Sequence, residues 1–390
     1  MKNLDLLSSI TYTISKIIPK KRNRWVFGAW FGSAISDNTK AFYDYVNLHY
    51  PDIEKIWVVN DTEKHHLDGC KFVRRNSLKS LMYITTAKVA VMNQGYGDFN
   101  ALNFLGNCYS VQLWHGIAWK KIVLDSMPDL SKHRRNLFKY SNNYSLYVAT
   151  SEMYRDVLLS AFDTDESKVV MAGQPRNEVL FDEDFCKRSR EEVQKRFSLN
   201  KNEKIVVYMP TFRDKTNEVF SFFKDDVYEK VSKIGDKLGF VVLEKSHYKN
   251  SDTASTGSRS RIISALGMEA NTLLASADML ITDYSSCFFD YLIRKKPIIH
   301  YIYDYDYYKN KDRGLYYEID KVAAGDVAFN LDELLKTITD NIESPELRSD
   351  VRDRITNDFI NFEKPGASAI ICERIMHDVY NGELLKKDEQ

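Results

Sequence analysis

The chain has 390 residues, with 55 basic against 55 acidic and 44% hydrophobic. Two domains are the natural expectation at that length, and the even charge argues against a protein that holds nucleic acid through bulk electrostatics. The five cysteines, Cys70, Cys108, Cys186, Cys287 and Cys372, are scattered without a CxxC spacing, which fits neither a disulfide framework nor a zinc site and reads as reduced, mostly buried thiols.

Residues 3–19 carry Leu6, Leu7, Ile10, Ile14, Ile17 and Ile18 at three- and four-residue spacing, followed by Lys20-Lys21-Arg22-Asn23-Arg24. An amphipathic helix with a basic cluster can lie on an anionic membrane surface; it can equally pack on its own domain with the cluster solvated. No apolar run approaches the ~18 residues of a membrane span, and no signal peptide is visible. The sequence therefore predicts a protein in the cytosol or on the cytoplasmic face of the membrane.

From Trp25 short apolar runs alternate with helical stretches. Strands are predicted at Trp25–Ala29, Ile56–Val59, Val89–Met92, Tyr109–Leu113, Leu146–Ala149 and Val169–Ala172, and after a charged stretch (Lys187–Lys204) at Ile205–Tyr208, Phe240–Leu243, Met279–Thr282 and Ile298–Ile302. Such alternation predicts parallel sheets with helices on both faces, here two Rossmann-like domains that bind ligands at strand carboxyl ends. The expected division is 1–24 as a membrane-associating segment, 25–190 and 200–350 as the two domains, and 351–390 as helices crossing back to the first. Asn250–Ser260 reads as a loop rich in Ser, Thr and Gly.

Several chemistry-bearing motifs fall at predicted strand ends. His115 and Gly116 end the run Gln112-Leu113-Trp114, and histidine is the side chain suited to take a proton near neutral pH. Arg176, in Gly173-Gln174-Pro175-Arg176-Asn177, suits either a phosphate or a neighbouring acid. Thr211 and Arg213 follow the first strand of the second domain, and Arg213 can make two parallel bonds to a phosphate. His247 follows Glu244-Lys245-Ser246. Asp283-Tyr284-Ser285-Ser286 leads into a predicted amphipathic helix over Cys287–Ile293, and Ser285 and Ser286 suit either an ordinary N-cap or a phosphate seat. Asp304 and Asp306 form an Asp-x-Asp pair whose spacing is too common to imply a metal. No Walker lysine loop and no GxGxxG are present, which weakens ATPase and dinucleotide readings. Together these residues describe a cleft for a diphosphate-bearing donor, with a base at hand.

The ordered set WHG (114–116), GQPRNEVLF (173–181), YMPTFRD (208–214), ITDYSSCFFDY (281–291), KPIIHYIYD (296–304) and RGLYYE (313–318), with Ser36-Asp37-Asn38-Thr39-Lys40 upstream, resembles the CDP-glycerol glycerophosphotransferases, the teichoic acid primases, polymerases and related capsule enzymes. The resemblance runs from about residue 25 to 380. It implies a GT-B fold with two Rossmann-like domains facing across a cleft, and peripheral attachment to the inner membrane face; neither a cofactor nor a metal is expected. It implies transfer of glycerol phosphate from CDP-glycerol to a hydroxyl of a lipid-linked or polymeric acceptor, with release of CMP. By match, His115 is the general base and His247 a donor-phosphate ligand that assists the leaving group. Arg213, Ser285, Ser286, Thr211 and Arg176 fall on the donor side, and Asp283 and Asp290 reach glycerol or ribose hydroxyls. Two departures are Lys364-Pro365-Gly366, where the family carries an acidic residue before the glycine, and Tyr248, where it carries a proline. Competing expectations are a CDP-ribitol or nucleotide-sugar donor, a non-catalytic membrane scaffold, and a metal-dependent transferase using Asp304 and Asp306.

Overall fold

The structure, a computed structural model, describes residues 2–211, 220–245, 261–305 and 314–382, leaving aside the side chains of 2–4, 225 and 226. Its residues fall into two units. One comprises Met1–His115, Ile122–Glu178 and Phe362–Gln390; the other comprises Gly116–Lys121 and Val179–Asn361.

In the first unit, strands β1 (Lys21–Gly28), β2 (Glu54–Val59), β3 (Cys70–Arg74), β4 (Ala87–Met92), β5 (Tyr109–Gln112), β6 (Leu146–Ala149) and β7 (Val169–Met171) form one sheet in the order β3-β2-β1-β4-β5-β6-β7. Every pairing is parallel. The second unit repeats the plan with β8 (Lys204–Met209), β9 (Phe240–Glu244), β10 (Ile262–Ser264), β11 (Met279–Thr282), β12 (Ile298–Tyr301) and β13 (Asp326–Ala328), ordered β10-β9-β8-β11-β12-β13 and again parallel. In each sheet the strand order reverses once, between β1 and β4 and between β8 and β11. Ligands of doubly wound sheets bind outside the strand carboxyl ends at such a reversal.

The central strands are continuous apolar runs because helices cover both sheet faces. In the first unit Trp25, Phe27, Trp57, Val59, Val89 and Val91 point to one side, onto Phe42, Tyr43 and Val46 of the helix Asp37–His49 and onto Ile371, Ile375 and Met376 of the helix Ala367–Tyr380. Trp25 Nε1 donates to Tyr380 Oη at 2.9 Å, fixing that last helix on the sheet. The preceding helix, Ser349–Ile360, belongs instead to the second unit, where Phe359 packs against Phe289 and Tyr317. The strands absent from the sequence reading, β3, β10 and β13, are all sheet edges. Edge strands are short and half solvated, so they lack the apolar run that marks a central strand; in β3 only Val73 is buried.

The helix Lys2–Ser15 docks by its small polar side. Ser8, Ser9 and Ser15 are buried. Ser15 Oγ accepts the Gly106 N–H at 2.9 Å, and a Cβ at Gly106 would overlap the Tyr12 carbonyl. Tyr12 meets Tyr140 edge-on, and Thr13 shares a hydrogen bond with the Tyr140 hydroxyl at 2.9 Å. Leu6, Leu7, Ile10 and Ile14 remain 45–58% exposed. The basic cluster is largely engaged at the start of β1. Lys20 donates to the Thr85 carbonyl, and Lys21, Arg24 and Lys71 all converge on Glu54. Burial pushes the Glu54 carboxyl up, but hydrogen bonds from Arg24, Lys21 and Lys71 outweigh it and bring it down to about 2.

Candidate active site

His115 stands three residues beyond β5, in a turn of unusual backbone. Trp114 has φ 55° and Gly116 φ 141°, so left-handed residues flank the histidine on both sides. Such conformations cost a non-glycine residue on the order of 1–3 kcal/mol and persist where surrounding structure fixes them. The Trp114 N–H donates to the Gln112 side-chain oxygen Oε1 at 3.1 Å, and the Trp114 ring stacks on the imidazole with centroids 4.5 Å apart. Trp30 approaches the imidazole at 5.4 Å. His115 Nδ1 lies 3.1 Å from the Asn93 carbonyl. A carbonyl only accepts, so this contact selects the Nδ1–H form and leaves Nε2 as the basic nitrogen.

The turns after β1 and β4 meet on Asp98, which is fully buried. Its Oδ1 accepts the Phe31 N–H at 2.8 Å, and its Oδ2 accepts those of Asn93 at 3.0 Å and Gln94 at 2.8 Å. Asn93 Oδ1 in turn accepts the Trp30 N–H at 3.1 Å. Burial raises the Asp98 carboxyl to about 6, against the downward pull of these N–H groups and of Arg75.

The stretch 173–178 forms a knot inside the first unit. Arg176 pairs with Asp37 at 2.7 Å and donates to the His115 carbonyl at 2.9 Å. Asn38 bridges Gln174, the Trp114 carbonyl and the Arg176 N–H. Glu363 accepts from the Gln174 N–H and from Asn177, while Glu178 accepts from Gly366, the Ser368 N–H and the Ser368 hydroxyl at the start of the last helix. Arg176, expected to suit either a phosphate or an acid, meets the acid Asp37 and the backbone of His115. Glu178 serves the start of the last helix, the place where the sequence departs from the family's acidic-glycine pair.

Gly116–Lys121 joins the second unit as a strap. Trp119 is buried, donates to the Tyr317 carbonyl at 2.8 Å, and accepts the Tyr316 N–H at 2.9 Å. Its ring lies 5.5 Å from Tyr284 and 6.3 Å from His300. The segment 314–317 thus clasps the strap, and Lys121 N–H to Gly314 O at 3.0 Å completes the bridge.

In the second unit the turns after β8 and β11 meet on Asp283, which is fully buried. Its Oδ1 accepts the Thr211 N–H at 2.8 Å and the Tyr284 N–H at 2.6 Å. Thr211, expected on the donor side, is therefore positioned by its backbone. The expected helix over Cys287–Ile293 is an α-helix over Cys287–Tyr291 followed by a 3-10 turn, Leu292–Arg294. It is not amphipathic: Cys287, Phe288, Phe289, Asp290, Tyr291 and Leu292 are all buried. Ser286 stands at the N-cap without a side-chain cap bond, and Ser285 Oγ accepts the Cys287 N–H only at 3.5 Å. Both serines are half-buried. Asp304 accepts from the Tyr284 hydroxyl at 3.1 Å. Arg213, His247 and Asp306 lie outside the described residues.

Three side chains shape these turns without having stood out in the sequence. Asp98 carries a faint signal, an acid in the glycine-rich turn Gln94-Gly95-Tyr96-Gly97. Glu244, buried at the end of β9, accepts from Ser221 Oγ and the Phe222 N–H, both at 2.8 Å; burial raises it to about 7, against those two bonds. His300 is fully buried, with Nε2 accepting the Ala324 N–H at 3.1 Å; burial lowers it to about 4.

Known proteins match this architecture along the whole chain. The family described as CDP-Glycerol:Poly(glycerophosphate) glycerophosphotransferase matches residues 10–377. A teichoic acid poly(glycerol phosphate) polymerase of Bacillus spizizenii (strain W23) is 26% identical over 388 residues, covering 94% of this chain and 95% of that protein. The polymerase of the same name from Bacillus subtilis (strain 168) is 26% identical over 385 residues; the match covers 95% of this chain and 50% of that protein. The solved structure of the wall teichoic acid polymerase TagF superposes with a TM-score of 0.82 at 26% identity, covering 99% of this chain and 97% of that one. The chain belongs to the CDP-glycerol:poly(glycerophosphate) glycerophosphotransferase family.

Proposed function

We propose that the protein transfers glycerol phosphate from CDP-glycerol to a hydroxyl group of a lipid-linked or growing cell-envelope polymer and releases CMP. The observation that carries this reading is His115, held at a strand carboxyl end with its Nδ1 proton committed to a carbonyl. In the proposed step Nε2 takes the proton of the acceptor hydroxyl. The acceptor oxygen bonds to the glycerol-bearing phosphorus, the phosphoanhydride bond breaks, and CMP leaves with the bridging oxygen. Such a displacement needs an oriented nucleophile and charge stabilisation more than covalent catalysis.

In this reading the donor side is formed by the second unit. Ser285 and Ser286 face the diphosphate, Arg213 and His247 supply cationic and acid contacts, and Asp283 sets the turn that carries Thr211. Asp290 is buried in the short helix that follows the turn after β11. Arg176 acts on the acceptor side through the His115 backbone.

The finer placement on the cytoplasmic membrane face rests on the helix Lys2–Ser15. Its outward stripe Leu6, Leu7, Ile10 and Ile14 is exposed while its serines are buried, an arrangement that suits an interfacial helix. Among the described residues no helix is long and apolar enough to cross a membrane.

The test is CMP release from CDP-glycerol, with CDP-ribitol and UDP-glucose in parallel, in the presence and absence of a lipid-linked acceptor analogue. Acceptor-dependent release from CDP-glycerol alone is the expected result. Release from a different donor only would overturn the substrate, and no release from any donor would favour a scaffold.

A further inference from the structure

Asp98 lies outside the short motifs singled out in the sequence, yet it closes the reversal point of the first sheet. Phe31 follows β1, Asn93 and Gln94 follow β4, and all three N–H groups end on this one buried carboxylate. The space around it is prepared. A Cβ at Gly28 would come within 2.9 Å of the Asp98 Cβ, and one at Gly97 within 2.9 Å of the Phe31 ring. Trp30 and Phe31 hold left-handed backbone at φ 50° and 54°, so their turn depends on outside bonds to persist. Those bonds come from Asp98 and Asn93, and the same two turns deliver the Asn93 carbonyl and the Trp30 ring to His115.

We infer that Asp98 is a positioning residue for the transfer reaction. By locking the turn at 93–94 against the turn at 30–31, it presents the Asn93 carbonyl to His115 Nδ1 and so keeps Nε2 as the proton-accepting atom. Its carboxylate makes its three backbone bonds at the turns, so its influence passes through the Asn93 peptide. The inference rests on the reading of His115 as the base. A neutral imidazole carries one proton that either nitrogen can hold. Without a fixed carbonyl, part of the population would present N–H to the acceptor hydroxyl and could not take its proton.

The experiment compares wild type, Asp98→Asn and His115→Ala in the full chain, with CDP-glycerol and acceptor. It reads kcat, the donor KM, and the tautomer of His115 by 15N-histidine NMR. Asp98→Asn sets an NH2 group against backbone donors. It should lower kcat about 10- to 100-fold, as a displaced catalytic group does, leave the donor KM within about twofold, and convert the His115 signal from the Nδ1–H form to a mixture. Should this variant fail to fold, Asn93→Ala cuts only the Trp30 bond and should show the same pattern at smaller amplitude. A folded Asp98→Asn protein with unchanged kcat overturns the inference. So does a loss of kcat with the Nδ1–H form intact, which would make Asp98 merely structural. If His115→Ala keeps its turnover, the base reading itself fails and the inference falls with it, a result distinct from either of the others.

Discussion

The two units solve the same problem at the same place with the same residue type. Where the first sheet reverses, Asp98 joins the turn after β4 to the turn after β1; where the second reverses, Asp283 joins the turn after β11 to the turn after β8. Both carboxylates are fully buried and both accept backbone N–H groups. The units differ in what stands beside that tie. In the first, Arg176, Asn38, Gln174 and Glu363 bond to one another or to the turns, with His115 in their midst. In the second, two half-buried serines, Ser285 and Ser286, follow the tie, and Ser286 makes no side-chain cap bond. The buried carboxylates at these two strand ends hold turns.

The sharpest way to break this comparison is to remove the one side chain of the first unit assigned to chemistry. His115→Ala should lower transfer about 10²–10⁴-fold, the usual worth of a positioned base, without loss of CDP-glycerol affinity; single-turnover CMP release measures it. Next comes Arg176. Its partner Asp37 is 8% exposed and Arg176 itself 14% exposed at the side chain, and breaking a buried pair from one side costs about 3–5 kcal/mol. Urea unfolding of Arg176→Ala should show a loss of that order with donor affinity retained. Lost affinity with full stability would move Arg176 to the donor side.

His300 sharpens the comparison through pH. Its folded form stays neutral down to about 4, whereas an unfolded histidine takes a proton near 6.5. The unfolded chain thus binds the extra proton between those values, and the stability contributed by the neutral ring is lost as pH falls from about 6.5 to about 4. The loss is at most about 3 kcal/mol. His300→Gln should flatten that part of the stability–pH curve, and an unchanged slope would contradict the assignment. Asp283→Asn should cost about 1–3 kcal/mol through its unmatched buried bonds and raise the donor KM by displacing Thr211; a raised acceptor KM instead would refute its place on the donor side. The smallest effect on stability is expected from Leu6→Ser, Ile10→Ser and Ile14→Ser together, within about 0.5 kcal/mol for each exposed site. Co-sedimentation with anionic vesicles should nonetheless fall, and undiminished co-sedimentation would remove the membrane role of this stripe.

The two parallel sheets were legible because central strands such as Val89–Met92 and Met279–Ile281 are apolar throughout. The apolar edge strand Val169–Met171 was legible too, but Cys70–Arg74 and Asp326–Ala328 were not, since they carry polar residues that a half-covered position tolerates. His115 was legible as a histidine at a strand end. The partners of Arg176 were not, because Asp37 and the His115 carbonyl are far from it in sequence and only the fold brings them together. The helix after Ser286 misled for another reason. Its pattern resembles an amphipathic helix, but it is too short for a polar face and is buried on all sides.

The central claim is that the first unit supplies the base while the donor is held elsewhere. The most direct test is calorimetric binding of CDP-glycerol to His115→Ala, with acceptor-dependent CMP release measured on the same preparation. The account predicts a donor Kd within about twofold of wild type and turnover reduced at least about 100-fold. Near-normal turnover, or donor binding lost along with it, would contradict the division.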